Sequence, residues 1–154
     1  MRNRWTRAGV VSVGMILAFS VGLSIGKRDS IRRLNLPGRS DDRPYSHLVV
    51  ADDTIYVAGS IGVDPKTGKV PPDPMAEARI ALDAMKSKLA LAGATMDDLV
   101  QVQVFCSDLS LYDAFNKLYA TYFHEGAPAR AFVGTGPLLW EARFEINGIA
   151  VREH

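Results

Sequence analysis

Arg130 and Glu145 are the two residues of this 154-residue chain whose types and spacing most readily do chemistry together. Arg130 follows Pro128-Ala129 at the mouth of an apolar run. A guanidinium there can hold a carboxylate through two parallel hydrogen bonds. Hydrogen bonds to charged groups contribute about 1.5–3 kcal/mol. Glu145 lies 15 residues later and could position or deprotonate a water. The same spacing has a second reading. If residues 131–135 and 142–150 pair as a hairpin turning near Pro137-Leu138, Arg130 falls opposite Glu145 as a cross-strand ion pair. Such a pair contributes little when exposed. Spacing alone leaves both readings open.

Other chemistries find less. His47, His124 and His154 are far apart, and none pairs with a cysteine or carboxylate at metal-ligand spacing, so no metal site is expected. No glycine-rich loop has the phosphate-cradling spacing, and no Ser-His-Asp or Cys-His triad can be assembled. Cys106, the single cysteine, follows a strand pattern and reads as an inert core thiol. It excludes an intrachain disulfide and fits a reducing compartment without ruling out an oxidising one.

The elements that must position these residues follow from periodicity. Residues 30–36 could form a first strand, ended by Pro37-Gly38. His47–Val50 and Thr54–Val57 are β-rich runs around Ala51-Asp52-Asp53, a hairpin signal. Gly59, Gly62 and the stretch Asp64-Pro-Lys-Thr-Gly68 predict turns. Asp73-Pro74 opens a helix, with Asp as N-cap and Pro at the first helical position. Met75, Ala78, Leu82, Met85, Leu89 and Ala92 form its apolar face, and Gly93 sits where a capping glycine belongs. Val100, Val102 and Val104 alternate with Gln101 and Gln103, a strand with one buried face. A second helix is expected over about 109–123, capped by Asp108, with Tyr112, Phe115, Tyr119 and Tyr122 as its buried stripe. Strands at 131–135 and 142–151 close the chain. The order β-β-β-α-β-α-β-β predicts an α+β sheet with both helices on one face.

Charge divides the chain unevenly. Overall there are 18 basic and 17 acidic groups, but residues 29–154 hold 13 basic against 17 acidic, a net of −4. An acidic domain lacks the basic face that nucleic-acid binding requires. The first 28 residues carry Arg2, Arg4, Arg7, Lys27 and Arg28 around residues 8–26, a run of 19 uncharged residues. As a helix this run would span roughly 28 Å, close to a hydrocarbon core. Residues 1–28 are therefore read as a signal peptide or a membrane anchor, with a retained anchor favoured over cleavage. Gly14, Ala18, Gly22 and Gly26 would give such a helix a small-residue stripe. The reading places a domain at 29–154 at the membrane or exported, outside the cytoplasm.

Ordered blocks from about Ile31 to Arg152 resemble the reactive intermediate deaminase (Rid/YjgF) family. They are Pro44-Tyr45-Ser46-His47, Thr54-Ile-Tyr-Val-Ala-Gly-Ser-Ile-Gly62, Asp64-Pro-Lys-Thr-Gly68, Asn116 within Phe115–Tyr119, Pro128-Ala129-Arg130, Phe144-Glu145-Ile146 and Ile149–Arg152. The resemblance implies a chorismate-mutase-like α+β subunit, a homotrimer with sites between subunits, and no cofactor. It implies hydrolysis of small imines and enamines, of the 2-iminopropanoate or 2-iminobutanoate type, to 2-oxo acids and ammonia. Carried over, Arg130 binds the substrate carboxylate and Glu145 handles water. Tyr45, Gly59, Asn116 and Phe132 line the pocket. The sequence departs from the family pattern at Phe132, where Cys is frequent, at Ala58, where Ser is frequent, and at Asn147, where a second carboxylate is frequent. The departures open a second expectation, a non-catalytic trimer that binds a small acid or acts as a sensor.

Overall fold

The computed structural model describes residues 31–38 and 42–152. The elements run β1 (Arg32–Leu34), β2 (Leu48–Ala51), β3 (Thr54–Ile61), α1 (Pro74–Ala90), β4 (Leu99–Cys106), α2 (Tyr112–Tyr119), β5 (Ala129–Gly134) and β6 (Phe144–Val151). The strands form one six-stranded sheet in the order β1-β2-β3-β6-β4-β5. Only β4 and β5 pair in parallel; the other neighbours are antiparallel. This is an α+β fold with a mixed sheet and two helices, in the expected element order.

Local chemistry explains the helix ends. Asp73 caps α1, its carboxylate accepting from the Met75 and Ala76 amides at 3.2 and 3.1 Å, and Pro74 follows at the first position. Gly93 takes a left-handed φ of 74° just beyond the helix. The second helix is shorter than its pattern suggests. A single α-helical segment, Tyr112–Tyr119, is flanked by 3-10 turns at Leu109–Leu111 and Ala120–Tyr122. Phe115, Leu118 and Tyr119 are its buried residues, while Tyr112 stays exposed.

The core lies between the sheet and the helices. Leu48, Val50, Ile55 and Val57 from β2 and β3 meet Ala78, Leu82, Met85 and Leu89 from α1. Val102, Val104, Phe144 and Ile146 meet Phe115 of α2. The alternation of β4 breaks where the sequence suggested it would continue. Val102 and Val104 are buried, but Val100 is exposed and Leu99 is buried instead. A register shift between Leu99 and Gln101 against β6 moves the strand by one residue.

The hairpin between the last two strands is corrected. β4 lies between β5 and β6, so these strands never pair and no Arg130–Glu145 cross-strand contact forms. Two 15-residue-spaced side chains on separate strands are held apart by a strand in the middle. The membrane-anchored or exported localisation is also corrected. Among the described residues no helix is long and apolar enough to cross a membrane. The longest, α1, has 17 residues and carries Glu77, Arg79, Asp83, Lys86 and Lys88. The N-terminal hydrophobic helix and the signal peptide or anchor read from residues 8–26 lie outside the described residues.

Glu77 holds the sheet to α1. It is fully buried on the helix and its Oε1 accepts from the Arg143 and Phe144 amides at 2.6 and 3.0 Å. Its Oε2 accepts from Arg143 Nε at 2.6 Å. Arg143 also donates to the carbonyls of Pro71 and Pro72. Removing one partner of a buried pair leaves a buried charge unmatched and costs about 3–5 kcal/mol. Glu77→Ala should therefore lower the urea unfolding free energy by that amount, whereas an exposed carboxylate such as Asp113 should change it by less than about 0.5 kcal/mol when replaced.

Candidate functional site

Pairing partners in a sheet share a face, and the register therefore places the expected site residues. Arg130 pairs with Val102 and Phe132 with Val104, both buried valines of the helix-covered face. Glu145 pairs with Phe105 on one side and Ile61 on the other. Its neighbours Phe144 and Ile146 are the buried residues of β6, so Glu145 projects from the opposite face. Within one chain the six expected residues form two groups.

The first group surrounds the guanidinium. Arg130 Nη2 donates to Asn116 Oδ1 at 2.7 Å, and the group lies 4.6 Å from the Tyr119 ring centroid. The rings of Phe132, Tyr112 and Phe115 stand 5.6 to 6.0 Å away. Phe132 packs edge-on against Tyr112 at 5.0 Å and Phe115 at 5.4 Å. Cation–π contact and one hydrogen bond fix the direction of the guanidinium. No carboxylate among the described residues pairs with it. Tyr119 is buried with its hydroxyl unpartnered among the described residues, and burial pushes its pKa up to about 12 against the opposing effect of Arg130.

The second group lines a cavity of about 640 Å³. Tyr45, Gly59 and Glu145 all border it, together with His47, Ser60, Lys88 and Trp140. A bulge shapes its wall. Val57 pairs with Gly148 and Ser60 with Ile146, so Ala58 and Gly59 together oppose Asn147. A Cβ on Gly59 would overlap Glu145 Oε1. Only glycine lets the strand lie against that carboxylate. On the other side of the cavity His47 Nδ1 accepts from the Leu36 amide at 3.0 Å, and its own amide donates to Asn35 Oδ1 at 2.9 Å.

Two residues at this cavity escaped the sequence reading. Lys88 is buried on α1, and its ammonium donates to the carbonyls of Ala58 and Gly59 at 3.0 and 2.7 Å and to Ser60 Oγ at 2.9 Å. Burial pulls its pKa down to about 8, an effect that the Glu145 charge partly opposes. The overlooked signal was spacing: Glu77 and Lys88 are 11 residues apart, three helical turns, on the buried side of α1. The second residue is Trp140. It and Glu141 adopt left-handed φ values of 57°, and Trp140 stays exposed at the cavity edge. Nothing in their residue types announces that conformation. Cys106 is buried; its thiol donates to the Asp108 carbonyl at 3.1 Å and burial pushes its pKa up, which fits an unreactive core residue.

Comparison with known proteins bears on most of the chain. Residues 40–152 match the family model described as Endoribonuclease L-PSP. A mouse protein named 2-iminobutanoate/2-iminopropanoate deaminase is 37% identical over 110 residues, covering 71% of this chain and 82% of its own. The crystal structure of the YjgF gene product of E. coli superposes with a TM-score of 0.68 at 38% identity, covering 71% of this chain and 89% of that one. The structure of E. coli TdcF with bound serine gives a TM-score of 0.71 at 30% identity, covering 82% and 100%.

Lys88 gives a pH dependence with a definite sign. In the unfolded chain it titrates at its ordinary 10.5, in the fold at about 8. Between these values the unfolded chain binds the extra proton, so stability rises with pH across the window, by up to about 3 kcal/mol in full. Urea unfolding at pH 8 and pH 9.5 should show part of this rise, and Lys88→Met should lack it.

Proposed function

Since the chain belongs to the Endoribonuclease L-PSP family, the YjgF/RidA proteins, we propose that it is a hydrolytic deaminase of small 2-imino acids and their enamine tautomers. The observation that carries this reading is the state of Arg130. It is half-buried, aimed by Asn116 and the Tyr119 ring, and lacks a carboxylate partner among the described residues. A guanidinium so held, with donors to spare, is suited to a small carboxylate ligand. The mouse relative's name supplies the substrate class, 2-iminobutanoate and 2-iminopropanoate.

The complete site is proposed to form between copies of the chain. Arg130, Asn116 and Phe132 of one copy close over Tyr45, Gly59 and Glu145 of the next, in a homotrimer. The sheet face that carries no helix among the described residues supports such an assembly: Tyr56 and Val133 lie exposed on it, beside half-buried Ile61 and Phe105. In the proposed reaction Arg130 anchors the substrate carboxylate and Glu145 accepts a proton from water as the oxygen adds to the C=N carbon. That proton passes to nitrogen to give a carbinolamine; its hydroxyl proton then moves to nitrogen as the C=O bond forms and the C–N bond breaks, and the products are a 2-oxo acid and ammonia. The imine carbon is already electrophilic, so anchoring and orienting two reactants supplies much of the acceleration.

A second reading is a binding protein without turnover. The E. coli TdcF relative favours it, since its structure holds a bound serine. Freshly generated 2-iminopropanoate distinguishes the two. The deaminase reading predicts release of ammonia and pyruvate above the spontaneous rate, and Arg130→Ala should lower kcat/KM about a hundred-fold. Calorimetric binding of a 2-oxo acid with no catalysed release would establish the binding protein instead.

A further inference from the structure

Lys88 is a charged group drawn into the buried face of α1, where Glu77 is the other charged residue, and burying an ammonium is expensive unless it is paired and hydrogen-bonded. All three of its protons have acceptors: the Ala58 and Gly59 carbonyls and Ser60 Oγ, at 2.7–3.0 Å. These acceptors are the bulge of β3, the segment whose glycine lies against Glu145. In a regular strand successive carbonyls alternate between the two neighbouring strands, and the bulge takes Ala58 and Gly59 out of register with β6. The ammonium donates to both carbonyls. Lys88 also borders the same cavity as Glu145, and the carboxylate charge acts on it.

We propose that Lys88 is a positioning residue for the Glu145 half of the site: its ammonium pins the β3 bulge from beneath and sets a positive charge behind the carboxylate that handles water. The functional part of this assignment rests on the deaminase reading. Lys88 makes its bonds on the far side of the Gly59 backbone and acts through the bulge and Glu145, without a role as nucleophile while all three protons are donated. The polar and charged groups that border the cavity with it are Glu145 from β6, Ser60 from β3, and Arg43, Tyr45 and His47 from the segment before β2. α1 itself contributes Ala84 to this wall.

The prediction is an alkaline limb. As pH passes about 8 the ammonium becomes an amine, one donor is lost, and the charge behind Glu145 disappears. kcat/KM for 2-iminobutanoate should fall through this range in the wild type. Lys88→Met should have lost about ten- to a hundred-fold already at pH 7, the size expected for one charge-assisted hydrogen bond, and should show no limb near pH 8. Lys88→Arg, which keeps its charge, should carry the limb to higher pH. An independent readout needs no substrate. The Lys88 side chain, followed by carbon-13 NMR of its Cε, should titrate at about 8, and Glu145→Gln should move that midpoint lower.

An alkaline limb unchanged in a folded Lys88→Met protein would overturn the proposal. So would a Lys88 midpoint indifferent to Glu145→Gln. If the wild type turns over no imine, the deaminase reading fails alone, and the NMR titration decides whether Lys88 is coupled to Glu145. If Lys88→Met does not fold, the Lys88→Arg profile and that titration decide it.

Discussion

A strand separates the two charged groups of the proposed site, Arg130 and Glu145. β4 lies between β5 and β6, and pleating turns Arg130 toward the helices and Glu145 toward the bare face. Within one chain they belong to two separate clusters. Side chains reach only a few ångströms, and they start from opposite faces of a sheet packed with valine, isoleucine and phenylalanine. In the proposed use of this arrangement each copy contributes half of a site and a neighbour supplies the remainder. The exposed apolar residues on the helix-free face are consistent with the same demand for a second copy.

Each half is held by means suited to its chemistry. The guanidinium is oriented by aromatic rings and one amide oxygen, contacts that fix direction without neutralising charge. The carboxylate is fixed through the backbone. Glu77 grips the amides of Arg143 and Phe144 immediately before it, and Gly59 leaves room against its oxygen. Both anchors originate on α1, where Glu77 and Lys88 stand three turns apart. The helix therefore serves as a ruler: one buried acid sets where β6 begins, and one buried base sets where β3 bulges.

Much of this was legible in the sequence, and the failures have physical causes. Asp73-Pro74 and the apolar steps of α1 act locally, so they read correctly. The order of elements followed from periodicity. Strand neighbours did not, because pairing β5 with β4 in parallel is decided by the crossover through α2 rather than by any short-range signal. The slip at Val100 depends on the opposing strand. Glu77 and Lys88 were passed over because the search for a buried face counted apolar residues alone, and both are buried only by virtue of partners on distant strands. The resemblance places all six residues in one pocket, whereas within one chain Tyr45, Gly59 and Glu145 border a cavity and Arg130, Asn116 and Phe132 form a separate cluster. The division between them was invisible in one dimension.

Subunit mixing tests the shared site most directly. Arg130→Ala and Glu145→Gln subunits would each be impaired about a hundred-fold or more alone. Unfolded together in equal amounts and refolded, they should recover about a quarter of wild-type deaminase activity, because a quarter of the interfaces would join an intact Arg130 to an intact Glu145. A refolded mixture of correct oligomeric size that stays as impaired as its parents would contradict a site built from two copies.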